Sequence, residues 1–484
     1  MKRLPFAVLF LVVVLLESIN AATPPNIVFV LTDDQAPWAV GASGNKQAIT
    51  PHMDRLFQDG AYLPNSFVVT PVCSPSRASL MASRYGSELG ITDWIHPKRE
   101  PKLGLDPATV TWPEVLAKNG YTNGLFGKWH LGVPDRFHPT KTGFHEFVGF
   151  RTGGNSPKDP SMEIDGVVRK ESGFTADVIT RHALKFLDRH HAKPFLLCVH
   201  YRAPHSRWLP VAPEDSAPYE NLDPKIPNPD YPDLDVTRVK RMMREYLSST
   251  RSVDRNLGLL IAKLEALKID KKTIVIFTSD HGYSMGHNGI WHKGNGHWVL
   301  KKPTVATKNI PRNQRPNMYD NSLRVPTAVR WPGVVKPGTT IHRTISNLDW
   351  YPTILAMTGL SVPKDVVVRG RDFTPLLRGK SLEWDDDLYA EYSTHHQSKT
   401  HMRAYRTPRW KLVRDFLNLG RDELYDLEAD PGERKNLFDE PNVATKEISA
   451  RLDRLLLARM AATKDPVLAK ARERVGQKSD SGGR

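Results

Sequence analysis

Asn26-Ile27-Val28-Phe29-Val30-Leu31, followed at once by Thr32-Asp33-Asp34-Gln35, sets the pattern of the whole chain. An unbroken apolar run of this kind suits a strand buried on both faces. It stops on two adjacent carboxylates. Three later runs behave alike: residues 121–126 lead into Gly127-Lys128-Trp129-His130-Leu131-Gly132, residues 195–201 into an Arg-Ala-Pro-His turn ending at His205, and residues 273–278 into Ser279-Asp280-His281-Gly282. Helical stripes lie between them. Residues 176–189 carry Val178, Ile179, Ala183 and Leu187, and residues 241–267 carry Leu247, Val253, Leu257, Leu260, Leu264 and Leu267. These spacings predict core-facing helices. Strands alternating with helices predict an α/β fold with a largely parallel sheet. The acids, histidines and lysines all follow the C-terminal ends of the runs, the edge at which open α/β sheets bind ligands.

The chemistry concentrates at Cys73-Ser74-Pro75-Ser76-Arg77, which precedes the helix-forming Ala78-Ser79-Leu80-Met81-Ala82. Pro75 suits a first helical turn. Cys73 then stands at a helix N-terminus, which favours negative charge and lowers thiol pKa. A lone cysteine usually reads as an inert buried residue; Arg77 and the other segments favour a nucleophile facing an anion. Asp33-Asp34 and Asp280-His281 pose a similar choice. Neighbouring side chains diverge on a strand, so each pair either caps a turn or, where the chain bends, converges on one ion. Lys128 and His130 are two apart and share a face if extended.

Residues 73–77 resemble the C-x-P-S-R signature of the sulfatases, and residues 120–132 are similar to that family's second signature. The resemblance runs from about residue 26 to about residue 460. It departs at Met81-Ala82-Ser83-Arg84, where the family has Leu-Thr-Gly-Arg, and at Asn123 and Phe126. It implies an alkaline-phosphatase-like three-layer α/β/α sandwich with a largely parallel central sheet, plus a small C-terminal α+β subdomain with an antiparallel sheet. It implies a sulfuric ester hydrolase whose Cys73 is oxidised by a maturation enzyme to formylglycine, the hydrate of which is the nucleophile and can later eliminate sulfate. Asp33, Asp34, Cys73, Asp280 and His281 match the metal shell, and mostly oxygen ligands point to Ca²⁺, with Mg²⁺ next. By the same resemblance Lys128 and Lys293 bind sulfate, His130 deprotonates the remaining hydroxyl, His205 protonates the leaving alcohol, and Arg77 holds the hydrated aldehyde. Two alternatives stay open: a phosphonate or phosphodiester hydrolase of the same superfamily, and a catalytically silent protein that binds sulfated glycans.

Composition narrows the setting. The 484 residues are 39% hydrophobic and carry a net charge of +15, with a mean hydropathy of −0.44 and pI ≈ 9.6. Lys2 and Arg3, an apolar run over residues 4–16 and Ala21-Ala22 read as a signal peptide over residues 1–22. That run is shorter than the ~20 residues a spanning helix needs. The expected mature protein is therefore exported (periplasmic, extracellular or lumenal) and has no integral membrane segment. Export and the lack of a basic-aromatic module argue against nucleic acid; the basic charge fits an anionic lipid or a sulfated carbohydrate, or serves solubility alone. Two cysteines in an exported chain ordinarily predict a disulfide, but the resemblance consumes Cys73, and Cys198 reads as core. A catalytic domain is expected over 23–377 and a subdomain over 378–463, with strands at 405–413 and 423–427 and a helix at 443–460. Residues 464–484, with six basic and three acidic residues, are expected to fray. Residues 294–317 hold five cations and no acid, and a loop this long is either disordered or functional. Read as functional, it offers Trp298 to a sugar face and Lys301 and Lys302 to further sulfates.

Overall fold

The computed structural model describes residues 24–481, without the side chains of 477–481; the signal-peptide reading lies outside this range. The four apolar runs are strands Asn26–Thr32, Thr122–Lys128, Phe195–His200 and Thr273–Ser279. With Glu146–Phe150 they form the parallel centre of a ten-stranded sheet, in the spatial order 273–279, 26–32, 195–200, 122–128, 146–150. Ala328–Arg330, antiparallel to 273–279, then Ala61–Tyr62 and Thr339–Thr340 complete one side, and antiparallel Ser161–Ile164 and Val167–Lys170 the other.

Strand alternation splits each run between two cores. Ile27, Phe29 and Leu31 face one side, with Leu125, Leu196, Cys198, Ile274 and Ile276. Val28 and Val30 face the other, with Phe126, Leu197, Val199, Val275 and Phe277. Helices Cys73–Ala82, Trp112–Lys118 and Trp350–Met357 cover the first face through Ala78, Leu80, Trp112, Leu116, Trp350 and Ile354. Helices Pro51–Asp59, Thr175–His190 and Val236–Ala266 cover the second through Met53, Leu56, Val178, Phe186, Leu257 and Leu264. The result is the expected three-layer sandwich. Burying each such side chain contributes about 1.5–3 kcal/mol, so the runs are committed to the centre of the sheet. Their polar ends are thereby brought to one edge: Thr32 is level with Ser279, and His200 with both Leu31 and Gly127.

A separate four-stranded antiparallel sheet follows, made of Leu388–Tyr392, Met402–Arg406, Trp410–Asp415 and Glu423–Asp426. Where one strand is expected over 405–413 there are two, because Thr407-Pro408-Arg409 turns the chain back between them. Helix Val443–Ala462 packs on this sheet. Within the described residues, the segment expected to fray is packed instead. Asp465 makes two hydrogen bonds with Arg403, at 2.6 and 2.9 Å, Val467 and Ala471 enter the core, and a further helix spans Leu468–Ser481. The same core takes in Phe67, Val68, Val69 and Val72, so the chain entering Cys73 is clamped between the two sheets. Residues 294–317 are likewise placed rather than disordered. His297–Trp298 pairs with Ile290–His292, and Arg315 lies 2.5 Å from Glu423.

Candidate active site

Cys73 is the first residue of its helix, follows an extended Val72, and is 2% exposed. Lys293 Nζ lies 2.9 Å from its sulfur and 2.6 Å from Asp34 Oδ1. Lys128 Nζ lies 2.6 Å from Asp33 Oδ2, and Asp33 Oδ1 is 3.7 Å from the sulfur. Burial alone would push the Cys73 thiol up, but Lys128, Lys293 and the imidazoles of His130 and His281 hold it well below the usual thiol range. This is a place built for an anion.

The strand ends explain the convergence. Asp33 and Asp280 each follow a strand directly, and those two strands are neighbours in register. Asp34 has φ 70, so the chain turns there and both carboxylates reach the same space. Lys128 ends its strand next to Gly127, whose φ is +114 and where a Cβ would stand 2.0 Å from the His200 carbonyl oxygen. Only glycine permits this approach. Arg77 donates to Asp280 Oδ2 at 2.8 Å and to the Lys128 carbonyl at 3.1 Å, and Ser76 donates to the Asp280 carbonyl. Arg77, expected to hold the nucleophile, thus ties the helix carrying Cys73 to two strand ends.

His281 Nδ1 donates to the Gly282 carbonyl at 3.0 Å. Its Nε2 therefore faces Asp34 Oδ1 at 3.1 Å, Asp280 Oδ1 at 3.3 Å and Cys73 Sγ at 3.5 Å. Such a set of electron pairs calls for a cation. Burial raises Asp34 to about 7 against the pull of Lys293, and its Oδ2 is buried without a hydrogen-bond partner. Ligand atoms of Asp33, Asp34, Cys73 and His281 all lie within 4.8 Å of one another, and the donor set fits a hard divalent ion. The second group of this kind among the described residues is Asp93, His395 and His396, where Glu100 accepts from His395 at 2.7 Å.

The site opens into a cavity of about 570 Å³ lined by Cys73, His130, His205 and Lys293. His130 donates through Nε2 to the Ile95 carbonyl at 3.1 Å, leaving Nδ1 a buried lone pair; burial and then Lys128 lower its pKa. His205 donates through Nδ1 to the Ser206 carbonyl at 2.6 Å, and burial lowers its pKa to about 3. The walls add Trp94, Gly153, His292, Asn295, His297 and Gln397. Sequence reading missed these. The cluster of His292, Asn295 and His297 beside Lys293 was an available signal, whereas Trp94 meets His396, ring centroids 4.5 Å apart, from the far end of the chain. Trp298 does not line the cavity. Strand alternation sends it the opposite way from His297, into Ile290, Tyr319, Tyr425 and Leu427. Lys301 and Lys302 do not line the cavity either: the Lys301 amide donates to the Asp233 carbonyl, and Lys302 pairs with the Asp233 carboxylate at 3.2 Å.

Two parallel-sheet faces, a helix-borne cysteine between two buried lysines, and a carboxylate–imidazole cradle define an enzyme for tetrahedral anions. The family model described as Sulfatase matches residues 25–360, and that of the N-sulphoglucosamine sulphohydrolase C-terminal region matches residues 313–461. The chain belongs to the sulfatase family and is a sulfuric ester hydrolase. It is 26% identical to an N-acetylglucosamine-6-O-sulfatase of Bacteroides thetaiotaomicron, over 87% of this chain and 84% of that one. It is 28% identical to an ulvan-active sulfatase of Formosa agariphila, over 91% and 82% respectively. A solved structure in complex with its substrate D-glucosamine-2-N,6-O-disulfate superposes with a TM-score of 0.78 at 25% identity, covering 92% of this chain and 99% of the other. No helix among the described residues is long and apolar enough to cross a membrane.

Proposed function

We propose that this chain is an exported, formylglycine-dependent sulfatase that removes sulfate from a sulfated carbohydrate. The observation that carries the reading is the placement of Cys73 between Lys293 and the paired Lys128–Asp33, beside the His281 cradle. Oxidation of Cys73 by a maturation enzyme supplies a hydrated aldehyde as nucleophile. Asp33, Asp34, Asp280 and His281 would hold Ca²⁺ or Mg²⁺, which supplies Lewis acidity toward a sulfate oxygen when bound. Lys128 and Lys293 bind the sulfate oxygens, a preorganised pair of charges that needs no rearrangement as charge develops. Arg77 positions Asp280 and the backbone of Lys128. His130, neutral and with Nδ1 free, takes the proton of the remaining hydroxyl. His205 gives a proton to the leaving oxygen, for which it must first gain one. The negative charge of bound sulfate raises the pKa of His205 from its buried value of about 3.

A cavity of about 570 Å³ lies within the range of small-ligand pockets and is ample for a sulfated sugar. Relatives named for sulfated N-acetylglucosamine and for ulvan support a carbohydrate substrate. Desulfation of a panel of defined sulfated oligosaccharides tests this, alongside mass spectrometry of the peptide spanning Cys73. We expect formylglycine at Cys73, turnover of at least one oligosaccharide, and loss of turnover in Cys73→Ala. Full activity with an intact thiol would overturn the mechanism, and a preference for aryl phosphodiester over aryl sulfate would overturn the reaction.

A further inference from the structure

Several exposed cations sit close in the chain to residues that line the cavity. Pro97 lines the cavity, and the next two residues, Lys98 and Arg99, are exposed. Gln397, also lining it, hydrogen-bonds Gln314 at 2.6 Å. Exposed Lys399 and Arg312 each stand two residues from this pair, at most about 7 Å of chain. The Lys399 amide donates to the Asn309 carbonyl at 2.8 Å, which brings exposed Lys308 alongside. The acids at hand are already committed: Glu100 to His395, Glu423 to Arg315, and Asp415 to Arg421. Among the described residues, none of the five cations has an acidic partner within 4.0 Å. Unpaired charges of one sign at a cleft mouth concentrate ligands of the other sign.

We propose that Lys98, Arg99, Lys308, Arg312 and Lys399 form a secondary binding rim for sulfates on sugars flanking the one being hydrolysed. The preferred substrate is then a chain bearing several sulfates rather than a monosulfated sugar. This rests on the proposed sulfatase activity toward carbohydrate and adds the requirement for length and charge. It also relocates the function of residues 294–317 from Trp298, Lys301 and Lys302 to Lys308 and Arg312.

The test uses full-length protein. Calorimetric affinities for a heparin hexasaccharide and a heparin disaccharide are compared in a Cys73→Ala background, so that no sulfate is lost during titration. The hexasaccharide should bind at least about tenfold tighter, with an advantage that falls as salt rises. Lys308→Ala, Arg312→Ala and Lys399→Ala combined should cut that advantage about tenfold. Lys98→Glu with Arg99→Glu should do the same. Unchanged hexasaccharide-to-disaccharide ratios in both variants would overturn the proposal. So would equally tight binding of a duplex DNA of matched charge. Turnover of an aryl sulfate by the unsubstituted enzyme is measured in parallel, because its absence would fault the sulfatase reading itself and not the rim.

Discussion

Replacing Lys293 by Met keeps most of the side chain's volume and removes its charge. The ammonium lies 2.6 Å from Asp34 and 2.9 Å from Cys73 Sγ, and its side chain is 4% exposed. Burial opposes its charge, but Asp34, Cys73 and Asp33 hold it above the usual lysine range, so it is cationic throughout the working pH. Losing one preorganised donor to developing charge costs about 2.7–4 kcal/mol, or about 10²–10³ in kcat. A second loss adds to it. Asp34 is already raised to about 7, and without Lys293 its carboxyl is held less firmly in the charged form that binds metal. The assay is kcat/KM on an aryl sulfate under excess divalent ion. Formylglycine is quantified by mass spectrometry and bound metal by elemental analysis, so that the two losses separate. Lys301→Met, at an exposed position outside the site, serves as the control. Retention of wild-type kcat within a few-fold, at equal formylglycine and metal content, would refute the assignment of Lys293 to the sulfate.

Exhaustive chelation should abolish turnover, and readdition of Ca²⁺ or Mg²⁺ should restore it. Asp280→Asn should lose bound metal and activity together, measured by elemental analysis and aryl sulfate hydrolysis; full activity of the metal-free protein would contradict the cradle. Arg403→Met should leave Asp465 buried without its partner, which costs about 3–5 kcal/mol, and a lowered denaturation midpoint with earlier proteolysis of the C-terminal helix would show it. Asp254 is raised by burial from 3.8 to about 7 while accepting the Met53 amide at 2.7 Å. Its folded form keeps a proton that the unfolded chain has released, so stability falls as pH rises from about 4 to about 7, by about 4 kcal/mol in all. Asp254→Asn keeps the acceptor and removes the titration. Its stability gain over wild type should be near zero at pH 4 and largest at pH 8, read from denaturation midpoints.

The candidate site was legible because its chemistry is local. Asp33, Lys128, His205 and Asp280 each follow an apolar run, and Cys73 opens a helix that Pro75 and the residues after it announce. Short-range patterning suffices for such features, since a run buried on both faces must lie inside a parallel sheet and its polar end must emerge at the edge. Other features depend on partners far along the chain. The turn at 407–409 makes two strands of one. The tail from residue 464 is held by Arg403 and Tyr389 on Asp465 and by Val467 and Ala471 in the core. The sequence by itself determined the α/β class, the catalytic edge of the sheet and the anion-binding character of the site. Tertiary structure alone decided which cations remain free to meet a substrate. Arg315 is spent on Glu423 and Lys302 on Asp233, while strand register turns Trp298 into a core and His297 into the cavity. Charge is counted along a chain, but it is neutralised across space, and register is set by strands that the sequence places far apart.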